Sequence, residues 1–103
     1  MTILRKEQVY VDSFLRFIQQ EKGLSKNTIN AYLQDINFFL SWTQFKKTPI
    51  ADINEVSCKD FIFHLRDKGL SPVSISRKMS ALKTFFNYLI TQKVVKNNYF
   101  EDL

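Results

Sequence analysis

The chain has 103 residues and a formal net charge of +5, and 45% of its residues are hydrophobic, which suffices for one domain with a single core. The chain contains ten Phe, four Tyr and one Trp but only two Gly and two Pro. This composition favours long helices over many short strands. One Cys and one His exclude an internal disulfide and argue against a zinc site, so we expect a reducing, cytoplasmic setting without a metal or cofactor.

The first half of the chain predicts two helices joined at a tight turn. In the first, α1, over residues 5–22, the apolar stripe comprises Val11, Phe14, Leu15 and Ile18. In the second, α2, over residues 26–43, it comprises Ile29, Leu33, Ile36 and Leu40. Gly23 suits the left-handed backbone that ends a helix, and Ser25 is a good N-cap for the next one. The first two turns of α2 are polar opposite the stripe and the rest is apolar nearly all round, so we expect a solvated start and a buried end.

The second half predicts another pair of helices after a loop that contains Pro49. The third helix, α3, is predicted over residues 57–68, and the side chains facing the core are those of Phe61, Ile62 and Leu65. The fourth, α4, over residues 72–92, packs a stripe of Ile75, Met79, Leu82, Phe86 and Leu89. Opposite this stripe lies Arg77, and its neighbours on that face are the short residues Val73, Ser80, Ala81 and Thr84. Residues 94–103 are predicted to form a brief turn around Tyr99-Phe100 or a linker into more protein.

A repeated sequence marks the starts of α2 and α4. Residues 22–29 read KGLSKNTI and residues 68–75 read KGLSPVSI, so each copy has a Gly stop, a Ser N-cap and an Ile at the hydrophobic-staple position. Pro72 adds the favoured first-turn proline to the second copy. The chain is therefore predicted to be all-α, with two helical hairpins, α1 with α2 and α3 with α4, packed face to face as a four-helix bundle.

Residues that could carry catalysis do not form a pattern in this sequence. It has no Cys/His pair at useful spacing, no Gly-rich phosphate loop and no clustered carboxylates, so the chain alone is predicted not to be an enzyme and to hold no small-molecule ligand. We interpret Cys58 as a small core residue and His64 as a partly exposed helix residue. No run approaches a membrane span of about 18 apolar residues, and the start, MTILRKEQ, lacks the apolar core of a signal peptide. We therefore expect no membrane partner.

The charge of +5 makes a polyanion such as double-stranded DNA the first partner to consider. The starts of α2 and α4 offer unpaired backbone N–H groups and a partial positive charge, which suit phosphate oxygens. Short side chains let a helix lie deep in the major groove, where Arg77 can pair with guanine or hold a phosphate. The candidate DNA-binding residues are Lys26, Asn27, Thr28, Asn30, Gln34, Ser74, Ser76, Arg77, Lys78, Ser80, Lys83 and Thr84.

Other interpretations of these residues stay open. The Ser and Asn side chains could act only as caps, with the cations forming a solvated surface, and we weigh this equally with DNA binding. The chain would then be a helical protein-interaction module that binds through the edge formed by Tyr10 and Phe17. A stand-alone DNA-binding protein without catalysis is the third possibility.

Three segments carry a further pattern: Glu21-Lys22 followed by Leu24, NTINAY at residues 27–32 with Asp35, and SRKMSALK at residues 76–83 followed by FF and YL. In this order and spacing they resemble the N-terminal core-binding domain of tyrosine recombinases, the phage-integrase family, most closely those of Xer type. The resemblance covers nearly the whole chain. It implies a SAM-like helical bundle that binds DNA for site-specific recombination and integration.

The resemblance also implies how such a domain acts. The helices α2 and α4 would cross in the major groove and clamp one side of a recombination half-site. A catalytic domain absent from residues 1–103 would close the clamp and hold the nucleophilic tyrosine, and the full-length protein would self-associate as a tetrameric synapse on DNA. The chain departs from the family pattern at two places: Asn97-Asn98-Tyr99 stands where the family usually has Asn-Pro after the fourth helix, and Lys83 stands in place of a frequent Arg. We therefore expect a different exit into the linker and a weaker contact at Lys83.

Overall fold

The computed structural model describes the backbone of residues 5–21 and 23–101, and the side chains of the same residues except 5, 6 and 21. Within these residues the α-helices are α1 (Arg5–Glu21), α2 (Lys26–Phe45), α3 (Glu55–Asp67) and α4 (Pro72–Thr91), with a one-turn 3-10 helix at Ile50–Asp52. The described chain is otherwise turns and loops, which confirms the all-α prediction. The predicted last residue of α1, Lys22, and the chain ends at residues 1–4 and 102–103 lie outside the described residues.

The repeated caps form as their sequence predicts. The Thr28 N–H donates to Ser25 Oγ over 3.2 Å, and the Ser74 N–H donates to Ser71 Oγ over 3.2 Å. The glycines two residues before these serines have φ values of +60° and +82°, which only glycine adopts without strain. The helix α3 begins two residues earlier than predicted. Its N-cap is Asn54, whose side-chain oxygen accepts a hydrogen bond from the backbone N–H of residue 57 at 3.0 Å.

The core is built around α4, which packs against α1, α2 and α3 and most extensively against α2. This arrangement confirms the four-helix bundle. Its largest fully buried aromatic side chains are Phe14, Phe39, Phe61, Phe85, Phe86 and Phe100. The prediction that Ala81 shares the outward face of α4 with Arg77 is wrong, because Ala81 is fully buried. With partners on three sides, α4 has a narrower solvent face than its apolar stripe alone suggests.

The predicted turn is present at residues 99–101. Residues 94–101 also form part of the core, which neither the predicted turn nor the predicted linker anticipated. Phe100 is fully buried, and its ring lies 5.4 Å from that of Phe39 and 5.2 Å from that of Phe86, both edge to face. Asn98 fixes this segment, since its Nδ2 lies 2.9 Å from the Lys83 carbonyl oxygen and contacts the side chain of residue 87. The chain therefore turns back onto α4 after the helix ends.

The second half of α2 is less buried than predicted. Phe45 is 67% exposed, and Phe38 and Trp42 are only half-buried against Phe61 of α3. The short α3 covers one side of this stretch, which leaves the last turn of α2 in solvent.

Candidate nucleic-acid interface

The outward faces of α2 and α4 carry positive charge without surface acids. Along these two fully described helices the cations are Lys26, Arg77, Lys78 and Lys83, and the one acid is Asp35. The Asp35 side chain is completely buried. Because a buried carboxylate paired with cations contributes little field at the surface, the solvent face of the helix pair is cationic.

The buried carboxylate joins the two helices. Asp35 Oδ1 accepts hydrogen bonds from Arg77 Nη2 at 3.0 Å and from Lys78 Nζ at 2.9 Å. The Arg77 side chain is 56% exposed, whereas that of Lys78 is only 12% exposed. The Lys78 ammonium also lies 4.9 Å from the centre of the Phe38 ring, a cation–π contact. Lys78 therefore points into the helix pair, while Arg77 lies at its edge.

The remaining candidates on α4 form a strip that runs away from Arg77. Ser76 and Ser80 are exposed, and Lys83 and Thr84 are half-buried. The Thr84 hydroxyl donates to the Ser80 carbonyl oxygen over 3.1 Å, so its oxygen keeps its capacity to accept from an outside donor. Small hydroxyl side chains along this strip leave room for close approach to the helix.

On α2 the structure separates exposed candidates from capping residues. The exposed candidates are Lys26, Asn27, Asn30 and Gln34. The Thr28 hydroxyl lies 3.0 Å from Ser25 Oγ, and the matching hydroxyl of Ser74 on α4 accepts from Ser71 Oγ at 3.1 Å. The Thr28 and Ser74 hydroxyls thus take part in the two caps made by Ser25 and Ser71, and their contact with DNA stays a prediction.

Two residues near this face were not among the sequence candidates. Arg66, in the last turn of α3, lines the same groove as Ser76, Ser80 and Lys83. It could not be placed from the sequence, because the sequence does not show how α3 crosses α4. Asp35 entered the prediction solely through the family resemblance, and nothing in its local sequence marks it as buried.

The groups singled out as structural occupy structural positions. Cys58 is fully buried, and burial raises the pKa of its thiol to about 12, which leaves it unreactive at neutral pH. His64 is half-buried, with its ring 5.9 Å from that of Trp42. Among the described residues, no three His, Cys, Asp or Glu side chains cluster in a way that could hold a metal ion. In the same part of the chain, no helix is long and apolar enough to cross a membrane.

The edge formed by Tyr10 and Phe17 packs mainly onto the protein itself. The Phe17 ring lies 4.9 Å from that of Tyr88, and Tyr10 is half-buried against the core. The Tyr88 hydroxyl in turn hydrogen-bonds the Ser13 hydroxyl of α1. These contacts place Tyr88 between α1 and α4 as a packing residue.

Comparison with known proteins agrees with this architecture. Residues 11–93 match the family model described as the phage integrase N-terminal SAM-like domain. The chain is 39% identical to tyrosine recombinase XerD of Listeria innocua over 83 residues, which is 78% of this chain and 28% of that protein. It is 35% identical to tyrosine recombinase XerC of Leptospira interrogans over 86 residues, or 82% and 28% of the two chains. A third relative, tyrosine recombinase XerD of Staphylococcus aureus, is 36% identical over 84% of this chain and 30% of its own length.

The chain thus spans less than a third of the length of these relatives. The matched region runs from the second turn of α1 to just beyond α4 and includes every candidate residue of α2 and α4. The chain therefore belongs to the N-terminal SAM-like domains of the phage integrase family, in the Xer type of tyrosine recombinase.

Proposed function

We propose that this domain binds double-stranded DNA for a site-specific tyrosine recombinase, with α2 and α4 in the major groove on one side of a half-site. The observation that carries the proposal is the cationic outer face of this helix pair, whose one acid, Asp35, is buried. A surface of this kind favours phosphate binding at any sequence, and its exposed side chains then read base edges.

The exposures suggest different tasks for the candidate residues. The Arg77 side chain is about half exposed, and its charged guanidinium has paired N–H donors that suit a guanine edge or a phosphate. Asn30 and Gln34 are exposed on α2, and amide side chains suit adenine. Lys26 and Lys83 are positioned for phosphates as point charges. Lys78 supports the interface from within, because its ammonium is engaged with Asp35.

Cutting and joining would belong to a further domain of the full-length protein, as the tyrosine recombinases named among its relatives suggest. In this proposal residues 1–103 are the core-binding domain and contribute no catalytic residue. Assembly of four such proteins on two DNA sites follows from the same family resemblance. The domain supplies half-site recognition to that assembly.

The test is a binding titration of the domain with short random-sequence duplexes at two salt concentrations. Binding should weaken steeply with salt, since phosphate contacts release counterions. Arg77→Ala should cost about 1–3 kcal/mol of binding free energy, the value of one good bidentate contact. Arg16→Ala, which removes the same charge from an exposed position on α1, should cost much less. Equal losses in the two variants would remove Arg77 from the interface, and no binding at low salt would favour the protein-interaction module.

A further inference from the structure

We infer that Asp35 is a positioning residue for DNA binding: its buried carboxylate holds the Arg77 guanidinium in the orientation that meets DNA. The inference rests on the proposed function and adds a residue that does not itself face the DNA. Asp35 has no exposed surface, so it cannot contact a ligand directly. Apart from the long-range effect of its charge, any effect of Asp35 on affinity must therefore pass through the residues that it holds.

The hydrogen-bond geometry leaves Arg77 able to bind. Arg77 uses one nitrogen, Nη2, to contact Asp35 Oδ1 at 3.0 Å. The two hydrogens of Nη2 belong to different forks of the guanidinium, one shared with Nη1 and the other with Nε. A single bond to Asp35 thus leaves one fork complete for a guanine edge or a phosphate. The bond also restricts a long side chain before DNA arrives, which reduces the entropy lost on binding.

Lys78 balances the charge of the carboxylate. Its ammonium donates to the same oxygen, Oδ1, at 2.9 Å, and its side chain is almost buried. The unit charges of Asp35 and Lys78 offset each other inside the helix pair, so the charge of Arg77 is not cancelled by its partner. Arg77 is therefore held by a carboxylate and still presents a net positive charge to the solvent.

This role predicts a change in affinity opposite to that expected from charge alone. Removing an acid close to a DNA-binding face strengthens binding when only long-range electrostatics matter. If Asp35 positions Arg77, Asp35→Asn weakens binding even though the protein becomes more positive. The direction of the change separates the two explanations.

The experiment measures duplex affinity at low salt for the wild type, Asp35→Asn, Arg77→Ala and the double variant. Asp35→Asn should weaken binding about threefold to tenfold, the effect of releasing one immobilised long side chain. In the Arg77→Ala background the same substitution should cause no loss. An affinity that is unchanged or higher for Asp35→Asn would overturn the inference, as would an equal loss in both backgrounds. Failure of the wild type to bind would instead reject the proposed function.

A second variant covers the case in which Asp35→Asn does not fold because Lys78 has lost its partner. The combination Asp35→Asn with Lys78→Gln removes one charge of each sign, so the formal net charge stays at +5 and no buried charge is left alone. Fluorescence of Trp42, the one Trp of the chain, reports whether the fold is kept. The same threefold to tenfold loss, absent when Arg77 is also replaced by Ala, supports the inference, and wild-type affinity in this folded variant contradicts it.

Discussion

Replacing Phe100 by Ala tests whether residues 94–101 belong to the folded core. Phe100 is fully buried and makes edge-to-face contacts with Phe39 at 5.4 Å and Phe86 at 5.2 Å. A buried Phe→Ala change costs about 3–5 kcal/mol, and each aromatic pair contributes about 0.5–1.5 kcal/mol within such a loss. We therefore expect a destabilisation of about 3–5 kcal/mol, a large part of the roughly 5–15 kcal/mol that stabilises a domain.

The position of Phe100 limits the size of this loss. The segment can detach from α4 as an alternative to leaving a cavity, and its other buried side chain is Val95. Detachment would expose part of the native surface in advance, so the urea m-value would fall together with the stability. If the segment instead stays packed on α4 and a cavity remains, the stability would fall while the m-value stays unchanged.

The assay is urea unfolding, followed by Trp42 fluorescence and by far-ultraviolet circular dichroism. With an m-value of about 1–3 kcal/mol/M, the midpoint should fall by at least about 1 M. The matched control is Phe63→Ala on α3, where the ring is 70% exposed and the expected change is within about 0.5 kcal/mol. If Phe100→Ala cost no more than Phe63→Ala, the assignment of this segment to the core would be refuted.

Three further predictions concern the caps and the buried thiol. Ser71→Ala should cost about 1 kcal/mol and Ser71→Gly only a few tenths, because Ser71 Oγ caps the Ser74 N–H; urea unfolding measures both. Gly69→Ala should lower thermal stability by about 1–2 kcal/mol, since φ is +82° while an added Cβ meets nothing within 4 Å. For Cys58, burial raises the pKa from 9.0 to about 12, so its stabilising contribution is complete below pH 9 and is lost as pH rises towards 12. Iodoacetamide at pH 8 should accordingly modify Cys58 only at the rate of unfolding, and fast modification of the folded domain would contradict its burial.

The helices and their caps could be predicted because their determinants are local. Ser25 and Ser71 each bond a backbone N–H three residues away, so the interaction is complete within one turn. The burial of Phe100 could not be predicted in this way, because a short segment after a helix has no periodicity to indicate which of its side chains turn inward. Its partners Phe39 and Phe86 are distant in sequence and meet it only once the bundle has closed.

The candidate interface shows the same division. Periodicity indicated correctly that Val73, Arg77 and Ser80 reach solvent. It could not show that Lys78, next to Arg77 in the chain, turns inward to a carboxylate on another helix. Such a pairing depends on the distance and rotation between α2 and α4, which are set by packing across the bundle. Arg66 joins the groove beside α4 for the same reason.

Burying a carboxylate between two helices costs desolvation free energy, and this cost raises the question of why Asp35 is present. Replacing a buried ion pair by apolar residues of similar volume is often neutral or stabilising by about 1–4 kcal/mol. Asp35 also leaves Oδ2 without a hydrogen-bond partner among the described residues, which adds to the cost. Stability alone therefore gives little reason for a carboxylate at this position. An apolar pair could not hold Arg77 by one nitrogen while more than half of its side chain stays in solvent. If the domain binds DNA through α2 and α4 as proposed, a fixed and uncancelled cation at their junction is the gain that offsets the burial of Asp35.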